Sequence, residues 1–196
     1  MADHVRAVIF DMDGTITVPA LDFPRMKAEI GLPPEEGLLE SLRRLRPGER
    51  AAAEEILLRH ETAAARASVL NDGVPATLSA LAAMGIRTAI LTRNCRSSAD
   101  IVMEKHGLRF DALVTREDCA PKPRPDGLHI AAARMGVDMS ACVMVGDYEF
   151  DVEAGRAAGA LTVLYAPGGH NFRTVPDFEI RHMRQLVEII RDLNAP

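Results

Sequence analysis

Val8-Ile9-Phe10-Asp11-Met12-Asp13-Gly14-Thr15 is the stretch on which the fold turns. A short apolar run, residues 5–10, ends abruptly in two acids. A run of this length, rich in Val, Ile and Phe and closed by turn chemistry, reads as a buried strand and not a helix. Two carboxylates at i and i+2 repel each other unless a cation lies between them or one keeps its proton. Gly14 lets the backbone turn sharply or approach a ligand closely, and Thr15 offers a hydroxyl. A strand closed by an ordinary Asp-Gly turn would carry the same residues, so the rest of the chain must decide.

Moving outward, residues 16–20 read as a linker and residues 23–70 as helical. The pattern predicts a helix over 23–30, stopped by Gly31 and Pro33-Pro34. A second, over 35–45, has Leu38, Leu42 and Leu45 on one face. Pro47-Gly48 reads as a break, 49–70 as a long Ala-rich helix, and Asn71-Asp72-Gly73 as a turn and return hinge. Helices and strands then alternate. Strands are expected over 86–91, 111–115, 142–145 and 161–165, and helices over 75–84, 97–106, 126–135, 150–158 and 183–193. This is the pattern of an α/β fold: a doubly wound, parallel, five-stranded sheet covered on both faces. Ligands of such sheets bind outside the carboxyl ends of the strands. Asp11, Asp13, Thr92, Lys122 and Asp147 all fall there.

Composition narrows the class. At 196 residues the chain is one compact domain, or one carrying an insertion. With 47% hydrophobic residues, disorder is not the default. A net charge of −5 without long basic runs argues against a nucleic-acid partner. The densest basic stretch, Arg43-Arg44-Leu45-Arg46, reads as a solvated helix face. The three cysteines are odd in number and form no CxxC, and the six histidines show no ligand-like spacing. A disulfide framework or zinc site is therefore not expected, and a reducing cytoplasm fits. The apolar stretch 7–10 is too short for a signal peptide, and no segment is long enough to span a membrane.

Four clusters, in order, carry a resemblance: Asp11-Met12-Asp13-Gly14-Thr15; Thr92 closing Ala89-Ile90-Leu91; Lys122 inside Pro121-Lys122-Pro123; and Gly146-Asp147 followed by Asp151. Together they resemble the haloacid dehalogenase superfamily, in its phosphoglycolate phosphatase-like subgroup with a small helical cap. The resemblance implies a core at 1–17 and 73–196 and a cap at 18–72. It implies Asp11 as nucleophile, forming an aspartyl-phosphate, and Asp13 as general acid and then base. Mg²⁺ would be held by Asp11 and Asp147 and by the Asp13 carbonyl. Gly14, Thr15, Thr92, Arg93, Asn94 and Lys122 would surround the phosphoryl group. Asp151 would hold a metal-bound water or orient Lys122; as a plain alternative it is a helix N-terminal acid. Asn94 reaches the substrate or caps the following helix. Many relatives carry Ser where this chain has Tyr148.

The implied activity is Mg²⁺-dependent hydrolysis of a small phosphorylated metabolite, a phosphoglycolate-like acid or sugar phosphate. A phosphomutase or a nucleotide 5′-phosphatase is the alternative. A dehalogenase is disfavoured because those relatives lack the second acid of the first cluster, here Asp13. Nothing in the sequence fixes the oligomeric state.

Overall fold

The computed structural model describes residues 4–195. Residues 1–3 and 196, the ends of the expected core, lie outside the described residues. Six strands form a single parallel sheet: β1 (Ala7–Phe10), β2 (Arg87–Leu91), β3 (Ala112–Val114), β4 (Cys142–Gly146), β5 (Leu161–Tyr165) and β6 (Phe178–Ile180). Their order is β3-β2-β1-β4-β5-β6. The chain winds from β1 to one edge and then returns to build the other, so strand order reverses between β1 and β4. That crevice is where ligands of open parallel sheets bind.

Alternation along the central strand splits the core in two. Val8 and Phe10 face one side, where they join Val74 and Leu81 of α4 (Val74–Ala83), Val102 of α5 (Arg96–His106), and Leu186 and Ile190 of α8 (Arg184–Leu193). Ala7 and Ile9 face the other, against Leu128 and Met135 of α6 (Asp126–Met135) and Ala154 of α7 (Glu149–Ala158). A strand buried on both faces reads as a continuous apolar run, as this one does.

Between β1 and α4 lie α1 (Phe23–Ile30), α2 (Leu38–Leu42) and α3 (Pro47–Ala67). They close a small core of their own around Met26, Leu38, Leu42, Ala53 and Leu57. The chain leaves and re-enters this segment along adjacent paths: Thr17 bridges Leu70, and the Val18 N–H donates to the Val69 carbonyl at 2.9 Å. Asn71 secures the junction. Its side-chain amide reaches the carbonyls of Gly14, Thr15 and Thr17 at 2.9–3.0 Å, three acceptors for two hydrogens.

The structure corrects several expectations. The sheet has six strands rather than five. The extra strand, β6, is three residues long, carries exposed Glu179 at its centre and sits at the sheet edge, so no apolar run marked it. Pro47-Gly48 does not break a helix but opens α3, because proline is tolerated in a first helical turn, where its missing N–H has no partner to lose. The second helix shrinks from 35–45 to Leu38–Leu42. Arg43-Arg44-Leu45-Arg46 therefore lies between helices rather than on a helix face. There Arg44 pairs with Glu36, and Arg46 with Glu49, in solvent. The long helix stops at Ala67, after which the Ser68 hydroxyl donates to the Ala65 carbonyl at 2.7 Å.

Candidate active site

A cleft of about 500 Å³ opens over the carboxyl ends of β1, β2 and β4, with α1–α3 forming its opposite wall. Its floor gathers Asp11, Asp13, Thr92, Arg93, Asn94, Lys122, Asp147 and Asp151.

Most floor residues follow strand ends; Lys122 comes from the loop between β3 and α6, and Asp151 from the first turn of α7. Asp11 follows β1, and its N–H donates to the Val145 carbonyl on β4 at 2.8 Å. Its carboxylate accepts from Lys122 Nζ at 2.5 Å. The same ammonium lies 2.5 Å from Asp151, and lysine and both acids are almost wholly buried. Asp151 also accepts from the Tyr148 N–H at 3.1 Å. It thus sits beside Lys122 and at the first turn of α7 at once, the positions of two of the three readings the sequence left open for it. Asp13 does not join this group. Its carboxylate accepts from Asn94 Nδ2 at 2.6 Å, so Asn94 acts on the acid instead of capping α5. The Thr92 hydroxyl accepts from the Asn94 N–H at 3.1 Å, fixing the turn that presents both.

Two glycines make room. Gly14 has φ +89°, which L side chains rarely adopt, and a Cβ there would run into the Asp147 carboxylate. A Cβ on Gly146 would strike Asp151. Gly14 thus shapes the floor through the space it leaves. Thr15 is fully buried, and neither it nor Gly14 lines the cleft. Its hydroxyl has no hydrogen-bond partner among the described residues.

The electrostatics are those of too many acids for one base. Oxygens of Asp11, Asp147 and Asp151 lie within 4.8 Å of one another, and Lys122 pairs with Asp11 and Asp151. Burial pushes Asp11 well above the usual carboxylate range, against the pull of Lys122. Burial, with Asp151 beside it, pushes Asp147 up to about 7. Lys122 is driven the other way from most buried amines: burial disfavours its charge, but Asp11 and Asp151 restore it and raise its pKa. Burial raises Asp13 to about 6, even though the Asn94 hydrogen bond works against this. Such a cluster of hard oxygen donors, in excess of nearby positive charge, is a set that a divalent cation fits.

Several residues of the site were invisible in the sequence. Glu61, on α3, is buried beside the floor, paired with Arg116 and accepting from the Cys95 N–H at 3.2 Å. Its neighbours Glu54 and Glu55 are exposed, and glutamate is an ordinary helix former, so nothing singled it out. The side chain of Arg93 was also unforeseen. It donates to both carboxylate oxygens of Glu40 at 2.9 and 3.1 Å, and to the Lys122 carbonyl at 3.1 Å. Its guanidinium lies 5.0 Å from the centre of the Phe150 ring. Tyr148 packs edge-on against Phe150 and Phe172.

The chain is similar to known proteins in sequence and in fold. The family model for haloacid dehalogenase-like hydrolases matches residues 5–159. An uncharacterised hydrolase of Saccharomyces cerevisiae is 30% identical over 205 aligned residues, covering 97% of this chain and 93% of the yeast protein. A phosphoglycolate phosphatase of Xanthomonas campestris is 35% identical over 185 aligned residues, covering 81% of each chain. In fold, a hydrolase from Pseudomonas syringae superposes with a TM-score of 0.82 at 19% identity, covering 97% of this chain and all of that one.

Proposed function

The chain belongs to the haloacid dehalogenase-like hydrolase family, and from that premise we propose that it is a Mg²⁺-dependent phosphatase of small phosphomonoesters, working through an aspartyl-phosphate. The enzyme class is that of phosphoric monoester hydrolases of the phosphoglycolate phosphatase-like subgroup, in keeping with the phosphatase from Xanthomonas. The observation that carries the mechanism is the division of the two acids of the first cluster. Asp11 is held on Lys122, and Asp13 is held apart on Asn94 in the same cleft.

The chemistry follows from that arrangement. An Asp11 oxygen attacks phosphorus as the bond from phosphorus to the ester oxygen breaks, and Asp13 gives its proton to the departing alcohol. Water then attacks the phosphoryl group and passes a proton to Asp13. The bond from Asp11 to phosphorus breaks, releasing phosphate and restoring both acids. Lys122 and the N–H of Arg93 offset charge on the phosphoryl oxygens. Thr92 orients them, and Asp151 keeps Lys122 in place. The oxygen-rich floor fits Mg²⁺, which Asp11, Asp147 and the Asp13 carbonyl would hold; when bound, it supplies the positive charge that keeps Asp11 ionised beside an anionic ester. Residues 18–72 serve as a cap that shapes the cleft around the leaving group, with 1–17 and 73–196 as the catalytic core.

The test is phosphate release from phenyl phosphate and sugar phosphates, with metal controlled. Chelation should abolish turnover and Mg²⁺ should restore it. Ca²⁺ should not, because its larger and looser shell misplaces Asp11. Full turnover after chelation with no metal returned would overturn the reading.

A further inference from the structure

The phosphoglycolate phosphatase-like resemblance raises the question of whether this cleft accepts an acidic leaving group, and the pair formed by Arg93 on the floor and Glu40 behind it bears on the answer. Arg93 is the cation beside Lys122 that a carboxylate on the substrate would seek. It is not free to respond. Glu40 takes it with both oxygens, the Lys122 carbonyl takes its other arm, and Phe150 covers its face. Glu40 can lie there because residue 37 is glycine: a Cβ at Gly37 would collide with the Glu40 carboxylate. The cation on the opposite wall, Lys27, donates to the Pro34 carbonyl at 2.7 Å and lies alongside Glu35 and Glu36. An incoming carboxylate would therefore meet cations that are already engaged, Arg93 by Glu40 and Lys27 by a carbonyl, with Glu35 and Glu36 beside them.

Apart from Glu61, which is paired with Arg116, the rest of the wall is largely apolar. Leu21, Leu38, Leu39 and Leu57 line it. Phe23 and Tyr148 line it too and, at 48% and 49% exposure, offer ring surface to whatever enters the cleft. The volume of about 500 Å³ lies within the range of roughly 300–1,000 Å³ that suits ligands much larger than a two-carbon acid.

We propose that the Glu40–Arg93 pair sets the substrate class. By holding the arginine it makes the leaving-group wall neutral to acidic, so the site takes phosphomonoesters of bulky, uncharged alcohols or phenols with an apolar face and turns away leaving groups bearing a carboxylate. This rests on the phosphatase reading above and narrows it. Glu40 and Arg93 act here as specificity determinants, and neither supplies a proton or attacks phosphorus.

The experiment compares kcat/KM for phenyl phosphate and 4-carboxyphenyl phosphate, which differ by one charge on the same ring, with 1-naphthyl phosphate and phosphoglycolate as the large neutral and small acidic extremes. The protein with its native sequence should favour 1-naphthyl phosphate over phosphoglycolate, and phenyl phosphate over its carboxylated counterpart. Glu40→Gln leaves the Arg93 charge uncompensated, so that a substrate carboxylate can displace the neutral amide. It should raise the ratio of carboxyphenyl to phenyl phosphate by about tenfold or more, the scale of one hydrogen bond to a charged group. The gain should fall mainly in KM. Glu40→Gln combined with Arg93→Met should return the ratio to its starting value, and losses common to both substrates cancel in it. Preference of the native protein for the carboxylated ester, or an unchanged ratio in Glu40→Gln, would overturn the proposal while leaving the phosphatase reading intact. No phosphate release from any of the four esters with Mg²⁺ would instead remove the phosphatase reading, and this proposal with it.

Discussion

On the floor of the cleft Asp11, Lys122 and Asp151 are buried and in mutual contact, whereas in the helical segment opposite, the ion pairs Arg44–Glu36 and Arg50–Glu54 stand in solvent around a small leucine-rich core. Exposed pairs of the second kind contribute about 0–1 kcal/mol each. The buried group is costly to assemble and is strongly perturbed, with Asp11, and Asp147 next to it, displaced upward by burial and the lysine kept charged. The difference teaches where the molecule concentrates electrostatic tension. That tension sits at the strand ends, on the residues assigned to chemistry. The helical wall is held by modest apolar packing and few buried charges, which suits a surface that selects among leaving groups.

Two substitutions sharpen this contrast. The largest effect belongs to the floor. Asp11→Asn removes the proposed nucleophile, so turnover should fall by more than the roughly 10²–10⁴-fold that an acid–base group contributes. Steady-state phosphate release measures it, and retention of a tenth of the activity would mean that Asp11 is not the attacking group. A smaller effect belongs to the wall. Leu57→Ala opens the core of α1–α3, where Leu57 is 2% exposed, and should cost about 2–5 kcal/mol. Hydrogen exchange should show that loss in α3 and α1, with the amides of β1 and β4 keeping their protection. Equal loss of protection in the central strands would show that the helical segment and the sheet unfold as one unit, and the comparison would break.

Legibility in the sequence follows the same division. The floor was readable because its residues are anomalies. Acids that end an apolar strand, a lysine between prolines, and an aspartate after a fourth apolar run make no sense as ordinary surface, and all line the cleft. The parallel sheet was readable for a related reason, since its strands are bare apolar runs punctuated by glycine. Strand β6 escaped because three residues with a glutamate at the centre carry no period. The helical wall was the least legible part. Leucine and alanine at helical spacing fit many packings, so neither the short α2 nor the start of α3 at Pro47 could be read. Contacts between distant segments, such as Glu61 with Arg116 and Glu40 with Arg93, join ordinary charged residues that only the fold brings together.

The separation of Asp11 on Lys122 from Asp13 on Asn94 is the centre of the proposed mechanism, and rapid-quench kinetics of Asp13→Ala test it most directly. An aryl phosphate supplies a leaving group that departs with little need of a proton, so attack by Asp11 should largely survive. Breakdown of the aspartyl-phosphate still needs a base for water, and should slow by about 10²–10⁴-fold. The expected record is a burst of phenol equal to the enzyme present, then slow turnover, with intact-mass measurement showing one phosphoryl group on the protein. A folded, Mg²⁺-binding Asp13→Ala protein that gives neither burst nor phosphoenzyme would contradict the division of labour between the two acids.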